Sequence, residues 1–148
     1  MSDSIDSQGL AAERELFRAM GRYARALDGR DWTLLETVFS PDAVAVYGGQ
    51  EMLAGRDAIV RSIRGYLDGC GPSQHFMGNF AADVDGDRAT TRTYARVYHQ
   101  GRGERAHLSL ETIGEYVADW RRGTAGWRAV RWELKVFVNV GDLSVLGP

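Results

Sequence analysis

The chain has 148 residues, 44% hydrophobic and 26% charged, the mix of one ordinary globular domain rather than of a disordered or fibrous chain. Net charge is −2 and Lys135 is the only lysine, with the arginines interleaved among Asp and Glu, so no basic stripe forms for nucleic acid. No apolar run is long enough to span a bilayer. The stretch from Met1 to Gln8 lacks the basic start and apolar core of a signal peptide, so we expect a cytoplasmic protein with no membrane partner.

Residues 1–9 read as a loose tail, and residues 10–148 as a single domain. From about Leu10, a buried stripe of Leu16, Met20, Tyr23 and Leu27 recurs at helical spacing, with Phe17 and Ala24 beside it. Arg14, Arg18, Arg22 and Arg25 take the wet side. Asp28-Gly29 ends this helix, with Gly29 expected as the left-handed cap. Asp31 then reads as an N-cap, with Trp32, Leu35, Val38 and Phe39 in a second short helix that stops at Ser40-Pro41. Ala43 to Tyr47 is a short strand broken by Gly48-Gly49. A third helix runs from Arg56 to Leu67, ended by Gly69, Gly71 and Pro72.

Long strands follow. Gln74 to Val84 and Arg88 to His99 flank an Asp85-Gly86-Asp87 hairpin turn. Arg92, Tyr94, Arg96 and Tyr98 alternate with Thr93, Ala95, Val97 and His99. His107 to Trp120 is the third long strand and Gly126 to Val140 the fourth, with Val130, Trp132, Leu134, Val136 and Val138 on one face. Three helices followed by a meander predict an α+β fold, with the helices packed on one side of a strongly curved antiparallel sheet. A sheet curled around helices encloses a cavity, and polar groups converging on such a cavity suit a small-molecule substrate.

His75 lies near the start of the first long strand, with Met77 and Asn79 expected on its face. Asp28 sits where the buried helical stripe leaves the interior. A carboxylate bonded to one imidazole nitrogen fixes the tautomer and raises the basicity of the other. Asp28 also reads as a plain helix-end residue, and His75 as a satisfied core histidine. His99 closes the second long strand, Tyr47 the short one, and Tyr23 lies on the buried stripe. A buried phenol needs a partner, which a substrate carbonyl or a neighbouring core group would supply. His107, beside Arg105, is expected to be exposed and passive. His75, His99 and Asp28 have the composition of a two-histidine, one-carboxylate metal set, but no close histidine spacing supports a metal site. Cys70 forms no internal disulfide and no Cys-x-x-Cys pair. Neither a Gly-x-Ser-x-Gly elbow nor a Gly-rich phosphate loop is present.

Tyr23-Ala-Arg-Ala-Leu-Asp28-Gly-Arg-Asp-Trp32, followed by Leu-Glu-Thr-Val-Phe-Ser-Pro41, is similar to the first two helices of scytalone dehydratases and bile acid 7α-dehydratases. Gln74-His75-Phe-Met-Gly78 and Arg96-Val-Tyr-His99-Gln resemble the strands carrying the two active-site histidines of scytalone dehydratases. With the order of elements, these segments resemble the nuclear transport factor 2-like superfamily, in its SnoaL-like branch, from roughly Glu13 to Trp132. The Asp28–His75 pair also resembles the dyad of hexachlorocyclohexane dehydrochlorinases. The chain departs from scytalone dehydratases in having Leu27 where they carry a tyrosine, and Gly114 and Tyr116 where they carry Ser and Asn. Val136 stands where the bile acid enzymes carry an arginine.

The resemblance implies a dehydratase with no metal and no organic cofactor, acting on a small hydroxy-carbonyl of polyketide or steroid type. His75, Asp28, Tyr47 and His99 are then the expected catalytic group, and Tyr23, Leu27, Asn79, Tyr116 and Trp132 the expected substrate contacts. An isomerase or polyketide cyclase with the same base, and a non-catalytic ligand-binding domain, are the alternatives. Tyr94 and Tyr98 between Arg92 and Arg96, together with Trp127 and Phe137, mark an outer sheet face suited to a homo-oligomer, a trimer or a dimer.

Overall fold

A computed structural model describes residues 6–147. Helix α1 spans Ser7–Asp28 and is capped by Asp6, whose carboxylate accepts from the Gly9 N–H at 3.0 Å. It therefore starts ahead of its apolar stripe, and residues 7–9 are helical rather than tail. The remainder of the expected tail, residues 1–5, lies outside the described residues. Leu16, Met20, Tyr23 and Leu27 are buried as the spacing predicts, whereas Phe17 is exposed and meets Phe80 edge-on at 5.5 Å.

At the end of α1 the left-handed residue is Arg30, at φ 55°, while Gly29 stays right-handed at −86°. Trp32–Thr37 is a 3-10 turn rather than an α-helix, and Asp31 makes no capping bond. Strand β1, Phe39–Tyr47, takes Phe39 and Ser40 out of the expected second helix. Its physical cause is Pro41, which disfavours helical backbone at the residue before it.

Next come β2 (Leu53–Ala54), α2 (Arg56–Leu67), β3 (Ser73–Asp85), β4 (Arg88–Gln100), β5 (Ser109–Gly123) and β6 (Gly126–Gly141). A last 3-10 turn, Leu143–Val145, follows β6. The six strands form one sheet in the order β2-β1-β6-β5-β4-β3, with β1 and β6 parallel and every other pair antiparallel. The fold is α+β, with the helices on one face of a curved sheet that stays open at its β2 and β3 edges. None of the described helices is long and apolar enough to cross a membrane.

On β4 the predicted alternation holds without a break, with Thr93, Ala95, Val97 and His99 buried. On β3 and β6 it does not. The β3–β4 register shifts between Gly78 and Ala81, where Asn79 turns to φ 52°. That bulge puts Phe80 against the core and Asn79 in solvent, so Asn79 does not share the face of His75. Two further shifts, opposite Asp119/Trp120 and Ile113/Gly114, break the face expected from Val130 to Val138. As a result Trp127 is buried on the core side and Val138 is exposed, both contrary to the simple alternation.

One end of the enclosed space is solid. Trp132 is fully buried and packs against Tyr23, Phe39, Tyr116 and Trp120 with ring centres 4.4–6.0 Å apart. Such tilted and edge-on aromatic packing fills the narrow end, and the space left open lies towards the far ends of β1 and β6.

Candidate active site

The open end is a cavity of about 340 Å³. Tyr23 and Leu27 reach it from α1, Tyr47 from β1, His75 from β3, His99 from β4 and Tyr116 from β5. Residues nearly 100 positions apart in sequence thus converge because helix and strands each present one apolar face inward.

Asp28 stands behind His75. Its carboxylate accepts the His75 backbone N–H at 2.9 and 3.1 Å and meets His75 Nδ1 at 2.7 Å. An ionised carboxylate only accepts, so the imidazole proton sits on Nδ1. The lone pair is then on Nε2, to which no described residue bonds. This arrangement orients the ring from its backbone and its side chain together.

His99 lies with its ring centre 5.7 Å from that of His75. Burial, the neighbouring His75 and the Arg30 charge pull its pKa down to about 4, against an opposing pull from Asp28. His99 is therefore neutral at pH 7. The Tyr23 and Tyr47 hydroxyls meet at 3.1 Å. Burial pushes the phenols of Tyr23, Tyr47 and Tyr116 above their ordinary range, so all three stay protonated and offer hydrogen bonds.

Two expected substrate contacts fall elsewhere. Asn79 is exposed at the β3 bulge and does not line the cavity, and Trp132 is sealed beneath Tyr23 in the aromatic end. The bulge moves the first; core packing claims the second. Gly114 lies on the inner face, where a Cβ would run into the Lys135 carbonyl oxygen. Val136 lines the cavity. Among the described residues no three His, Cys, Asp or Glu side chains gather to hold a metal ion. His107 is exposed, as its hairpin position predicts.

Some lining residues escape sequence reasoning. Thr112 Oγ1 donates to Asn139 Oδ1 at 2.7 Å, which leaves the Asn139 amide N–H groups for a ligand. Tyr66 donates to Gln50 Oε1 at 2.9 Å beside the same cavity. The available signal for Asn139 is a lone amide inside the apolar run Val136-Phe-Val-Asn-Val140.

A family model for the SnoaL-like domain matches residues 8–133. The chain belongs to the SnoaL-like family. It thereby joins the nuclear transport factor 2-like superfamily, in agreement with the fold. This SnoaL-like domain is 30% identical to an uncharacterized protein of Mycobacterium tuberculosis over 132 residues, 88% of this chain and 83% of that one. It is similar in structure to a provisionally named scytalone dehydratase from Novosphingobium aromaticivorans, with a TM-score of 0.80 and 23% identity over 89% of this chain and 88% of that one. A hexachlorocyclohexane dehydrochlorinase from Novosphingobium barchaimii superposes with a TM-score of 0.81 at 13% identity, over 93% and 94% of the two chains. At such identities these likenesses establish the fold.

Proposed function

We propose that this SnoaL-like domain is a lyase that removes water from a small hydroxy-carbonyl compound, with His75 as the base. The observation that carries the reading is the 2.7 Å contact between Asp28 and His75 Nδ1, which leaves Nε2 as the basic edge of a cavity-lining ring. The names of the two structural neighbours, a dehydratase and a dehydrochlorinase, both denote eliminations and support the same class.

His75 Nε2 takes the C–H proton next to the carbonyl, and the released pair moves onto the carbonyl oxygen as an enolate. Tyr47, paired with Tyr23, donates to that oxygen where the charge develops. The imidazolium, steadied by Asp28, returns the proton to the β-hydroxyl. The C–O bond breaks with its electron pair on oxygen, water leaves, and the enolate pair becomes the new C=C bond. Base and acid are one residue, so the enzyme ends as it began. General acid–base help of this kind gives ~10²–10⁴-fold. A preorganised oxyanion donor adds roughly 3 kcal/mol. That suffices for an activated β-hydroxy carbonyl and falls short for a plain alcohol, which sets the substrate class. The step needs neither a metal nor an organic cofactor.

Product mass tests the reading: incubation with polyketide-like β-hydroxy ketones should yield a product lighter by one water. An unchanged mass with a moved double bond or a closed ring would instead make the domain an isomerase or cyclase. We further propose that the protein works in the cytoplasm as a homo-oligomer, burying the outer sheet face on which Phe76, Tyr94, Tyr98 and Phe137 are exposed.

A further inference from the structure

Arg30 is held in the left-handed region, at φ 55°, two residues beyond the orienting carboxylate Asp28. A non-glycine residue there costs on the order of 1 kcal/mol, so its side chain must be well held. Its guanidinium donates to the Leu27 carbonyl at 2.7 Å, to the Gly71 carbonyl at 2.8 Å and to Ser73 Oγ at 3.1 Å. A guanidinium has no acceptor, so in the last of these bonds Ser73 receives. The Ser73 hydroxyl proton is then free, and His99 Nδ1 lies 2.8 Å from Oγ. Ser73 and His99 face each other in the β3–β4 register, which fixes the contact through the backbone.

We propose that Arg30 and Ser73 are positioning residues that lock His99 in the tautomer protonated on Nε2, making it a standing hydrogen-bond donor to substrate oxygen rather than a second base. The oxygen it serves rests on the dehydratase reading above; the tautomer does not. No described residue bonds His99 Nε2, and the ring lines the cavity. The two histidines are thus backed by opposite charges. Behind His75 Nδ1 stands the Asp28 carboxylate, which draws a proton onto Nδ1 and readies Nε2 to accept one. Behind His99 Nδ1 stands a hydroxyl polarised by a cation, which donates a hydrogen bond to Nδ1 and leaves the ring's one proton on Nε2. The groups facing His99 are His75, Arg30 and Asp28; burial and the first two keep the ring neutral, so its donor proton persists below pH 6.

Nitrogen-15 NMR of histidine-labelled protein reads the tautomer directly. Wild-type His99 should carry its proton on Nε2 and hold that pattern from pH 8 down to pH 6. Ser73→Ala should abolish the single-tautomer pattern and lower kcat about tenfold, the worth of one hydrogen bond to the reacting oxygen, with KM changed less. Ser73→Thr, which keeps the hydroxyl, should restore both. Arg30 also braces Leu27 and Gly71, so the Ser73 pair carries the test if Arg30 variants fold poorly. A His99 proton on Nδ1 in the wild type, titration of His99 in the ordinary imidazole range, or an unchanged tautomer in Ser73→Ala would overturn the proposal. Should the tautomer behave as stated while no hydroxy-carbonyl loses water, the lock stands and the dehydratase reading falls.

Discussion

At the cavity wall, two histidines with ring centres 5.7 Å apart differ in what stands behind them, and this difference has consequences for pH. His99 has a folded pKa of about 4 against 6.5 for an unperturbed imidazole. Between those values the unfolded chain binds a proton that the folded protein refuses, so stability falls as pH drops through that window and is independent of His99 above it. The loss by pH 4 should be roughly 3 kcal/mol. Denaturant unfolding at pH 7 and pH 4.5 measures it, and His99→Gln should flatten the slope. The phenols make a different prediction. Tyr47→Phe keeps the packing and removes the donor, so kcat should fall roughly 10–100-fold with stability nearly unchanged, as steady-state kinetics and thermal melts would show. That Asp28, His75, His99 and Tyr47 gather at one end of the fold was expected from the family resemblance, since periodicity alone left Asp28 as a helix-end residue and His75 as a core histidine. Ser73 and Arg30 were not expected. Their roles follow from a left-handed turn and a cross-strand register, neither of which periodicity carries.

Elements were legible wherever the hydrogen-bonded ladder runs unbroken. Helix α1's stripe, α2, and the alternation along β4 follow directly from periods of 3.6 and 2. Bulges defeat that reasoning, because each one adds a residue and reverses every inside–outside assignment beyond it. The bulge at Asn79 exchanged Asn79 for Phe80, and those on β6 buried Trp127 and released Val138. Asparagine is enriched at positive φ, the one clue the sequence offered there. Because Asn79 holds φ 52° and is solvent-exposed, Asn79→Gly should leave stability and activity unchanged, while Asn79→Ala should cost about 1 kcal/mol with activity retained. Chemical denaturation alongside turnover separates these outcomes, and lost activity in Asn79→Gly would return Asn79 to the substrate site. At Gly114 the bulge leaves no room for a side chain before the Lys135 carbonyl. Gly114→Ala should therefore destabilise by roughly 1–3 kcal/mol in the same measurement.

For the molecule as a whole, the layer architecture was readable from element order, since three helical segments and then a meander admit few ways to bury their apolar faces, and the family from the resemblance of the segments around Asp28, His75 and His99. Which end of the sheet stays hollow was not readable, because it depends on Trp127, Trp132 and Trp120 filling the other end together. Outside, Tyr94 and Phe137 pack at 6.4 Å on a face also carrying the Arg92–Glu115 and Arg96–Glu111 pairs. Light scattering at micromolar concentration should give a mass two or three times the 16.4 kDa chain, and Phe137→Asp should lower it. The central claim, that Asp28 and His75 act as one base, is tested most directly by a double-mutant cycle of proton abstraction. Solvent deuterium uptake into 2-tetralone, a compact ketone with acidic C–H bonds, is followed by mass spectrometry for the wild type, Asp28→Asn, His75→Ala and the double variant. Exchange should fall by at least ~10²-fold in each single variant, and the double variant should be little worse than His75→Ala alone. Exchange in His75→Ala at the wild-type rate, or independent and additive losses from the two changes, would contradict the account.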